Sequence, residues 1–284
     1  MSEPRLDVRK TYKLLVGGAF ARSESQRSYE VTSASGEFMA NAAQGSRKDV
    51  RDAVVAARAA QAAWWSHSAY NRGQVLYRLA EMAESRRDEL TTHVALAEGL
   101  SPRAARATVS RSIDRVVWYA GWTDKYAQVI GSANPVAGPY FNFSVPVPSG
   151  VVGVVCSGDS SLEAFVDAVL APVCVGNAVV ALASERRPTP ALLVGEMSVT
   201  ADFPPGVLNI VTGRVRETAP TLAAHGDVDG IDLAGVDGEF EVELATSAAH
   251  SVKRVWRRGD GDRATLRRMG TFVEISTVWH TIGQ

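Results

Sequence analysis

The sequence predicts an α/β fold: a parallel sheet with an N-terminal helical layer and a small β-flap. From Gly150 onward, short Val- and Ile-rich segments alternate with helical segments. Continuous apolar strands separated by helices are typical of a parallel sheet that is buried on both faces. Before that point, apolar residues recur at helical spacing. The segments 139–150 and 271–281 alternate large apolar and polar residues, which indicates strands with one exposed face.

Within the first 135 residues the pattern predicts a hairpin and then three helices. The pair Gly17-Gly18 lies between apolar runs and indicates the turn of the hairpin. Ser46 is the expected N-cap of the first helix. A second helix is expected over 70–98, ended by Gly99, and Pro102 is expected in the first turn of the third.

The later segments divide into a flap and a core. Strands are expected at 150–155, 178–183, 206–212 and 229–235, with helices at 161–175, 189–201, 217–225 and 239–251. Pro146 and Pro148 predict that the strand within 136–149 lies at an edge, because proline cannot donate to a ladder. The last segment, 271–284, has the same character and is expected to pair with it. The three predicted parts are therefore 1–135, the flap of 136–149 with 271–284, and 150–270.

Composition limits the partners and the location of the protein. A formal net charge of −1 offers no basic surplus for phosphates, so no nucleic-acid partner is expected. Two cysteines form no disulfide framework and fit a reducing compartment. We find neither an apolar signal segment nor a run of apolar residues that could span a bilayer. A soluble, cytoplasmic protein without a membrane partner is the expectation.

Four sequence blocks carry a family resemblance. They are PVPSGVVGVV (146–155), APVCVGNAVVALASE (171–185), PPGVLNIVTG (204–213) and AAHGDVDGIDLAG (223–235). In this order and spacing they resemble the dinucleotide-binding core of the aldehyde dehydrogenase superfamily, and the resemblance extends over most of residues 12–236. It implies a Rossmann-like parallel sheet. A complete member continues into a further domain that bears a nucleophilic cysteine, and that domain is expected to lie outside this sequence.

The resemblance implies a vestigial cofactor site at Ser184, Glu185, Gly213 and Gly235. Other positions depart from the family pattern. Leu182 replaces a lysine that holds the adenosine ribose, and Ala234 and Val236 replace hydroxyl residues of a turn that meets the pyrophosphate. Ala219 replaces a glycine, and Asp159 replaces an asparagine that donates to the oxyanion. A carboxylate cannot donate there. Neither NAD nor NADP is therefore expected as a cofactor, and no catalytic residue is expected.

The remaining reactive side chains suggest no site of their own. Cys174 is expected to be a small buried hydrophobe, and Cys156, at a strand end, has no recognisable base beside it. Glu163 and Asp167 have the spacing of a solvated helix face. His225 and His250 are expected at helix ends, without further ligands for a metal.

The end of the chain suggests a function. VKRVW (252–256) and LRRMGTFVEISTVWHTIG (266–283) are similar to the C-terminus of two-module aldehyde dehydrogenases, whose second module lacks a nucleophile and packs on the first. This resemblance implies a non-catalytic pseudoenzyme subunit that scaffolds a full-length NAD(P)-dependent aldehyde dehydrogenase, or a homo-oligomer, through its flap. Two alternatives stay open. One is a weak nucleotide-binding regulatory protein, based on Ser184 and Glu185; the other is a dehydrogenase subunit completed in trans by a partner's catalytic domain.

Overall fold

The computed structural model describes residues 10–156, 162–257, 259 and 265–282, and confirms the α/β class. The helices are α1 (Arg47–Ser66), α2 (Ala69–Ser85), α3 (Arg87–Glu98), α4 (Pro102–Trp122), α5 (Tyr126–Ile130), α6 (Leu162–Cys174), α7 (Thr189–Thr200), α8 (Val215–Ala224), α9 (Gly238–Ala249) and α10 (Leu266–Thr271). The strands are β1 (Thr11–Tyr12), β2 (Leu14–Val16), β3 (Ala19–Ala21), β4 (Ser28–Thr32), β5 (Phe38–Ala43), β6 (Ser132–Asn134), β7 (Tyr140–Pro148), β8 (Val151–Val155), β9 (Ala178–Leu182), β10 (Leu208–Val211), β11 (Gly230–Asp232), β12 (Arg254–Trp256) and β13 (Val273–Thr281).

The central sheet has the order β12-β11-β8-β9-β10-β2-β3 in the described part of the chain. Its first five strands are parallel; four of them were predicted, and β12, within the VKRVW motif, is an addition. Alternate residues of β8 enter two different cores: Val152 and Val154 pack in one, and Val151 and Val155 in the other. The sheet is therefore buried on both faces, which explains its continuous apolar strands.

The predicted hairpin is formed by β2 and β3, and it extends the central sheet. Leu15 pairs with Ile210 of β10 in antiparallel orientation. Gly17 and Gly18 have φ of +58° and +78°, the positive pair that a tight hairpin turn requires. Asn209 accepts the Gly17 N–H at 2.9 Å and so attaches the turn to β10. The strands β1, β5 and β4 make a separate small sheet.

The helical layer follows the prediction with one correction. Ser46 caps α1 and forms a capping box with Asp49. The single helix expected over 70–98 is wrong, because the chain leaves helical geometry at Arg86 (φ −107°, ψ 21°) and divides it into α2 and α3. The Arg86 guanidinium binds Glu89 and the distant Glu196 of α7, a tertiary contact that sequence periodicity cannot reveal. Gly99 ends α3 in a left-handed conformation, as expected.

The flap consists of β6, β7 and β13. The predicted pairing of the two flap segments is confirmed: β13 runs antiparallel to β7 from Val273, opposite Pro148, to Thr281, opposite Tyr140. The edge position predicted for β7 is wrong, because β7 is the middle strand. The short β6 pairs only with residues 142–144 of β7.

The prolines of β7 nevertheless occupy positions without a ladder partner. The Pro139 carbonyl and the Ser149 N–H both form hydrogen bonds with residues that flank β13. The backbone N–H and C=O groups of odd-numbered residues in β7 therefore point toward β13. The backbone nitrogens of Pro146 and Pro148 therefore point to the opposite side of β7, beyond the end of β6. No described strand lies there to accept a hydrogen bond from them. The sequence correctly indicated the missing donor, but it could not reveal a third strand of three residues.

Candidate functional site

The carboxyl ends of the parallel strands bring most of the predicted cofactor residues together. Ser184 and Glu185 follow β9 and Gly213 follows the neighbouring β10. Gly235 follows β11, which is separated from β9 by β8. At a strand spacing of about 4.8 Å, β11 lies roughly 10 Å from β9 and roughly 14 Å from β10, so Gly235 is set apart from the other three. Ligands of open α/β sheets bind at this edge, so it is the candidate site.

The polar groups retained at this edge are engaged within the chain. Buried Ser184 accepts a hydrogen bond from the Arg187 N–H at 3.1 Å. The exposed Glu185 carboxylate accepts one at 3.2 Å from the N–H of Val215, the first residue of α8. A carboxylate is stabilised at the positive end of a helix, and an incoming phosphate would have to compete with it there.

Gly213 has a packing role at this edge. Its φ is +135°, a conformation that L side chains rarely adopt, and a Cβ there would lie 3.0 Å from the Gly45 nitrogen. Glycine is therefore required for the close approach of this turn to residue 45, whatever the edge binds.

Hydrocarbon groups occupy the positions where the family pattern has ligand-binding side chains. Leu182 is only 1% exposed at the end of β9, and Val236 is also buried. The Ala234 N–H donates to Asp232 at 3.0 Å, so the turn after β11 is closed on its own strand. None of these three side chains can donate to a ribose or a phosphate.

Tyr29 lies at the same corner and was missed by the sequence reading. Burial, and then the nearby Glu185 carboxylate, raise the pKa of its hydroxyl, which keeps the proton at neutral pH. Residue 29 comes from β4, far from the motif blocks in sequence, and its only sequence signal is an aromatic residue within a short strand. Its buried hydroxyl lies near the Glu185 carboxylate and the backbone at Gly213.

Neither cysteine is suited to nucleophilic chemistry. Cys156 and Cys174 are both free and buried, and desolvation raises both thiol pKa values. The Asp232 carboxylate raises that of Cys156 further. Because the thiolate is the nucleophile, a thiol that stays protonated is inert. Cys174 has the buried environment expected for it, and Asp159 lies outside the described residues.

A buried ionic network lies beneath the candidate edge. Arg268 of α10 binds Asp232 at the end of β11 through two bonds of 3.0 and 2.6 Å. Arg115 of α4 pairs with Asp167 and, at 3.0 Å, with Glu163. The predicted solvated face is wrong for Asp167, which is 1% exposed. Helical spacing placed both acids on one face of α6 correctly, but it could not show that α4 covers that face.

Burial and pairing have opposite effects within this network. Desolvation raises the pKa of Asp167 even though the Arg115 guanidinium acts to lower it. For Arg268, burial acts to lower the pKa, and the Asp232 carboxylate outweighs it and raises the value. Removing one partner of such a buried pair strongly lowers the stability of the folded protein. The network therefore holds α4, α6, α10 and β11 together.

The flap presents a second candidate surface, which is apolar. Its large side chains remain exposed: Tyr140 (41%), Phe141 (49%), Ile275 (55%) and Trp279 (62%). Trp279 packs edge-to-face on Tyr140 with ring centroids 5.8 Å apart. In the described part of the chain, β13 has a neighbour on one side only, so its other edge is open.

Other possible sites receive no support from the described residues. His225 and His250 follow α8 and α9 directly, as expected. In the ranges that the structure describes, no group of three His, Cys, Asp or Glu side chains could hold a metal ion. None of the helices described there has both the length and the hydropathy to cross a bilayer.

Comparison with known proteins identifies the family. The model of the aldehyde dehydrogenase family matches residues 20–265. This chain belongs to the aldehyde dehydrogenase family. It is 31% identical over 249 residues to the putative aldehyde dehydrogenase DhaS of Bacillus subtilis, and these cover 86% of this chain and 50% of that protein. It is 32% identical over 261 residues to aldehyde dehydrogenase 1A1 of Gallus gallus, covering 90% of this chain and 51% of that protein.

Solved structures of the aldehyde dehydrogenase family show the same architecture. A putative aldehyde dehydrogenase of Burkholderia cenocepacia superposes with a TM-score of 0.80 at 30% identity, covering 86% of this chain and 51% of that chain. The NAD-dependent aldehyde dehydrogenase of Sinorhizobium meliloti gives 0.80 at 26% identity, covering 90% and 51%. The chain thus spans about half the length of the relatives that it matches.

Proposed function

We propose that this chain is a non-catalytic aldehyde-dehydrogenase-like subunit that associates with a full-length aldehyde dehydrogenase through its flap. The observation that carries the proposal is the exposed apolar surface of the flap. Four large apolar side chains are at least 41% exposed on β7 and β13, and the β13 edge is open among the described strands. Large exposed apolar patches mark interaction sites, and an open strand edge invites pairing with another chain.

The side chains at the carboxyl edge of the central sheet support a non-catalytic role. Both thiols are buried and protonated, Leu182 and Val236 offer no polar group, and the Glu185 carboxylate already binds the α8 N-terminus. Charge-assisted hydrogen bonds contribute about 1.5–3 kcal/mol each, so losing two weakens cofactor binding by about two to four orders of magnitude. We therefore propose that neither NAD nor NADP is a resident cofactor.

Association is tested by sedimentation of the chain alone and together with a full-length aldehyde dehydrogenase from the same source. The proposal predicts a complex that Trp279→Ser weakens at least tenfold, because buried aromatic residues dominate interface energies. Phe20→Ser is the control, since Phe20 is a 42% exposed aromatic residue on β3 of the central sheet, outside the flap. If the intact chain stays monomeric beside the dehydrogenase at about 50 micromolar, the proposal is rejected.

A second candidate function is a weak nucleotide-binding regulatory protein. The observation that favours it is the corner formed by Tyr29, Glu185 and Gly213, where a neutral hydroxyl and a carboxylate remain beside the end of β10. Calorimetric titration with NAD and NADP separates the two functions, and a micromolar dissociation constant would favour this one. NADH production by a mixture in which the partner's own nucleotide site has been inactivated would instead favour a subunit completed in trans.

A further inference from the structure

A cavity separate from the sheet edge lies at the base of the flap. Its volume is about 230 Å³, and it is enclosed by the start of α2, by α5 and by residues of β7 and β13. Its walls include apolar side chains, among them Pro146, Val175 and Val273. Exposed Trp65 and Ala127 also line it, so the cavity reaches the surface. Since one water takes roughly 30 Å³ of liquid volume, this space can hold a small organic ion.

One buried cation, Arg72, lines this cavity. The residue is only 4% exposed. Its Nη1 donates to the carbonyls of Trp65 (3.2 Å) and His67 (2.6 Å) at the end of α1, and the guanidinium carbon lies 4.9 Å from the centre of the Trp65 ring. Its Nε–H is buried and has no hydrogen-bond partner among the described residues.

The charge of Arg72 has no counter-ion in the described part of the chain. The other buried arginine described there, Arg268, has the Asp232 carboxylate at 2.6 Å. Burial lowers the pKa of Arg72, and no carboxylate acts to raise it. An arginine nevertheless keeps its proton. The α1 carbonyls offset part of the charge through the negative helix end, but a buried cation without an anion remains costly.

We propose that this cavity binds a carboxylate, which pairs with the Arg72 guanidinium through Nη2. The guanidinium fork suits the oxygens of a carboxylate. Nη1 is turned toward the α1 carbonyls and Nε is fully buried, so Nη2, which donates a hydrogen bond to none of the described residues, is the donor that remains. A single fixed positive charge among apolar walls fits a singly charged organic anion. The carboxylate comes either from a small molecule or from an acidic side chain of an associated subunit.

The probe for this site is acetate, titrated into the full chain at constant pH and constant ionic strength against chloride. Saturable binding is expected with a dissociation constant on the order of a millimolar, as suits a ligand of about four non-hydrogen atoms. Arg72→Lys keeps a charge but loses the fork, and is expected to weaken binding at least tenfold. Absence of saturable acetate binding by the intact chain would overturn the proposal.

Because Arg72 also caps α1, its replacement could disturb folding, and a second variant tests the cavity itself. Ala127→Leu places a larger side chain at an exposed position of the cavity wall and keeps Arg72 intact. It is expected to weaken acetate binding at least tenfold. Arg103→Met, which removes an exposed arginine of α4, is the control and should leave binding unchanged. Unchanged binding in Ala127→Leu would contradict the assigned location.

The two sources of the carboxylate are distinguished by the state of association. If an acidic side chain of another subunit fills the cavity, acetate affinity falls in the associated form compared with the monomer. If the natural ligand is a small carboxylate, the affinity is the same in both forms. Either result is compatible with the site, and neither depends on whether the partner is a dehydrogenase.

Discussion

The central sheet and the flap are built from similar residues but differ completely in burial. Every residue of β8 and β9 is buried, whereas β13 is exposed from Glu274 to Thr281. Both regions contain several valine and isoleucine residues, and the flap strands add aromatic residues. The sheet has helices packed on both faces, whereas in the described part of the chain the residues of β13 after Val273 remain exposed. The comparison shows that strand composition indicates a strand, while its burial depends on what covers it.

The two regions are joined by a small number of buried polar contacts. Asn177, at the start of β9, donates to the carbonyls of Pro172 and Phe272 and accepts the Gly150 N–H. Arg268, just before β13, binds Asp232 of the sheet. These contacts orient the first residue pairs of the flap, and Arg254 of β12 adds a surface ion pair with Glu274 of β13. The junction should therefore contribute more to stability than the exposed strands.

Removing the buried charge pair at the junction should have the largest effect. Arg268→Met removes the cation that binds Asp232, whose side chain is 1% exposed, and should lower the free energy of unfolding by about 3–5 kcal/mol. Urea unfolding measures the loss. Arg254→Met is the matched control, because Arg254 pairs with Glu274 at the surface and such pairs contribute about 0–1 kcal/mol. Equal losses in both variants would refute the distinction.

An apolar substitution in each region tests the comparison directly. Leu222 of α8 is fully buried and packs where a Cβ on Gly153 would come within 2.9 Å, so Leu222→Ala should cost about 2–5 kcal/mol. Trp279→Ala removes a larger side chain that is 62% exposed. It should change the stability of the monomer by less than about 1 kcal/mol. A large loss for Trp279→Ala in the monomer would mean that the flap is covered in solution.

The thiols should make stability depend on pH, and both lie outside the flap. The folded chain holds Cys156 and Cys174 with pKa values above the ordinary 9.0, so it keeps both protons where the unfolded chain releases them. The contribution of the protonated thiols to the free energy of unfolding is therefore fully present below about pH 9. It falls as the pH rises above that value, by about 1.4 kcal/mol per pH unit per thiol. Unfolding under reducing conditions between about pH 8 and pH 10 measures this slope. The double variant Cys156→Ala with Cys174→Ala should show a shallower slope, and an identical slope would refute the assignment.

The smallest effect is expected at the open side of β7. Pro148→Val frees the unfolded backbone and should cost about 0.4–1 kcal/mol in a urea titration. It also adds an N–H on the side that β6 does not reach, so concentration-dependent association should increase. Val147→Thr, at the neighbouring residue that faces β13, should leave association unchanged. Light scattering compares the two variants, and equal association would show that the missing donor is unimportant.

Local signals in the sequence were enough for most of the secondary structure. Gly17 and Gly18 permit the positive φ of a tight turn, Ser46 supplies a capping hydroxyl, and Gly99 ends a helix in a left-handed conformation. These features depend on a residue and its neighbours, which the sequence contains in full. The alternation of valine strands with helices likewise indicated a parallel sheet, and the motif blocks indicated the family.

Contacts between residues that are distant in the sequence were visible only in the tertiary structure. At the break between α2 and α3, Arg86 binds the distant Glu196, and the buried Asp167 pairs with Arg115. The middle position of β7 follows from its pairing with a strand of three residues. The uncompensated charge of Arg72 is visible only once its surroundings are known. Burial and pairing energies are set by three-dimensional neighbours, and a periodic sequence pattern shows which face of an element is apolar or charged, without showing what covers it.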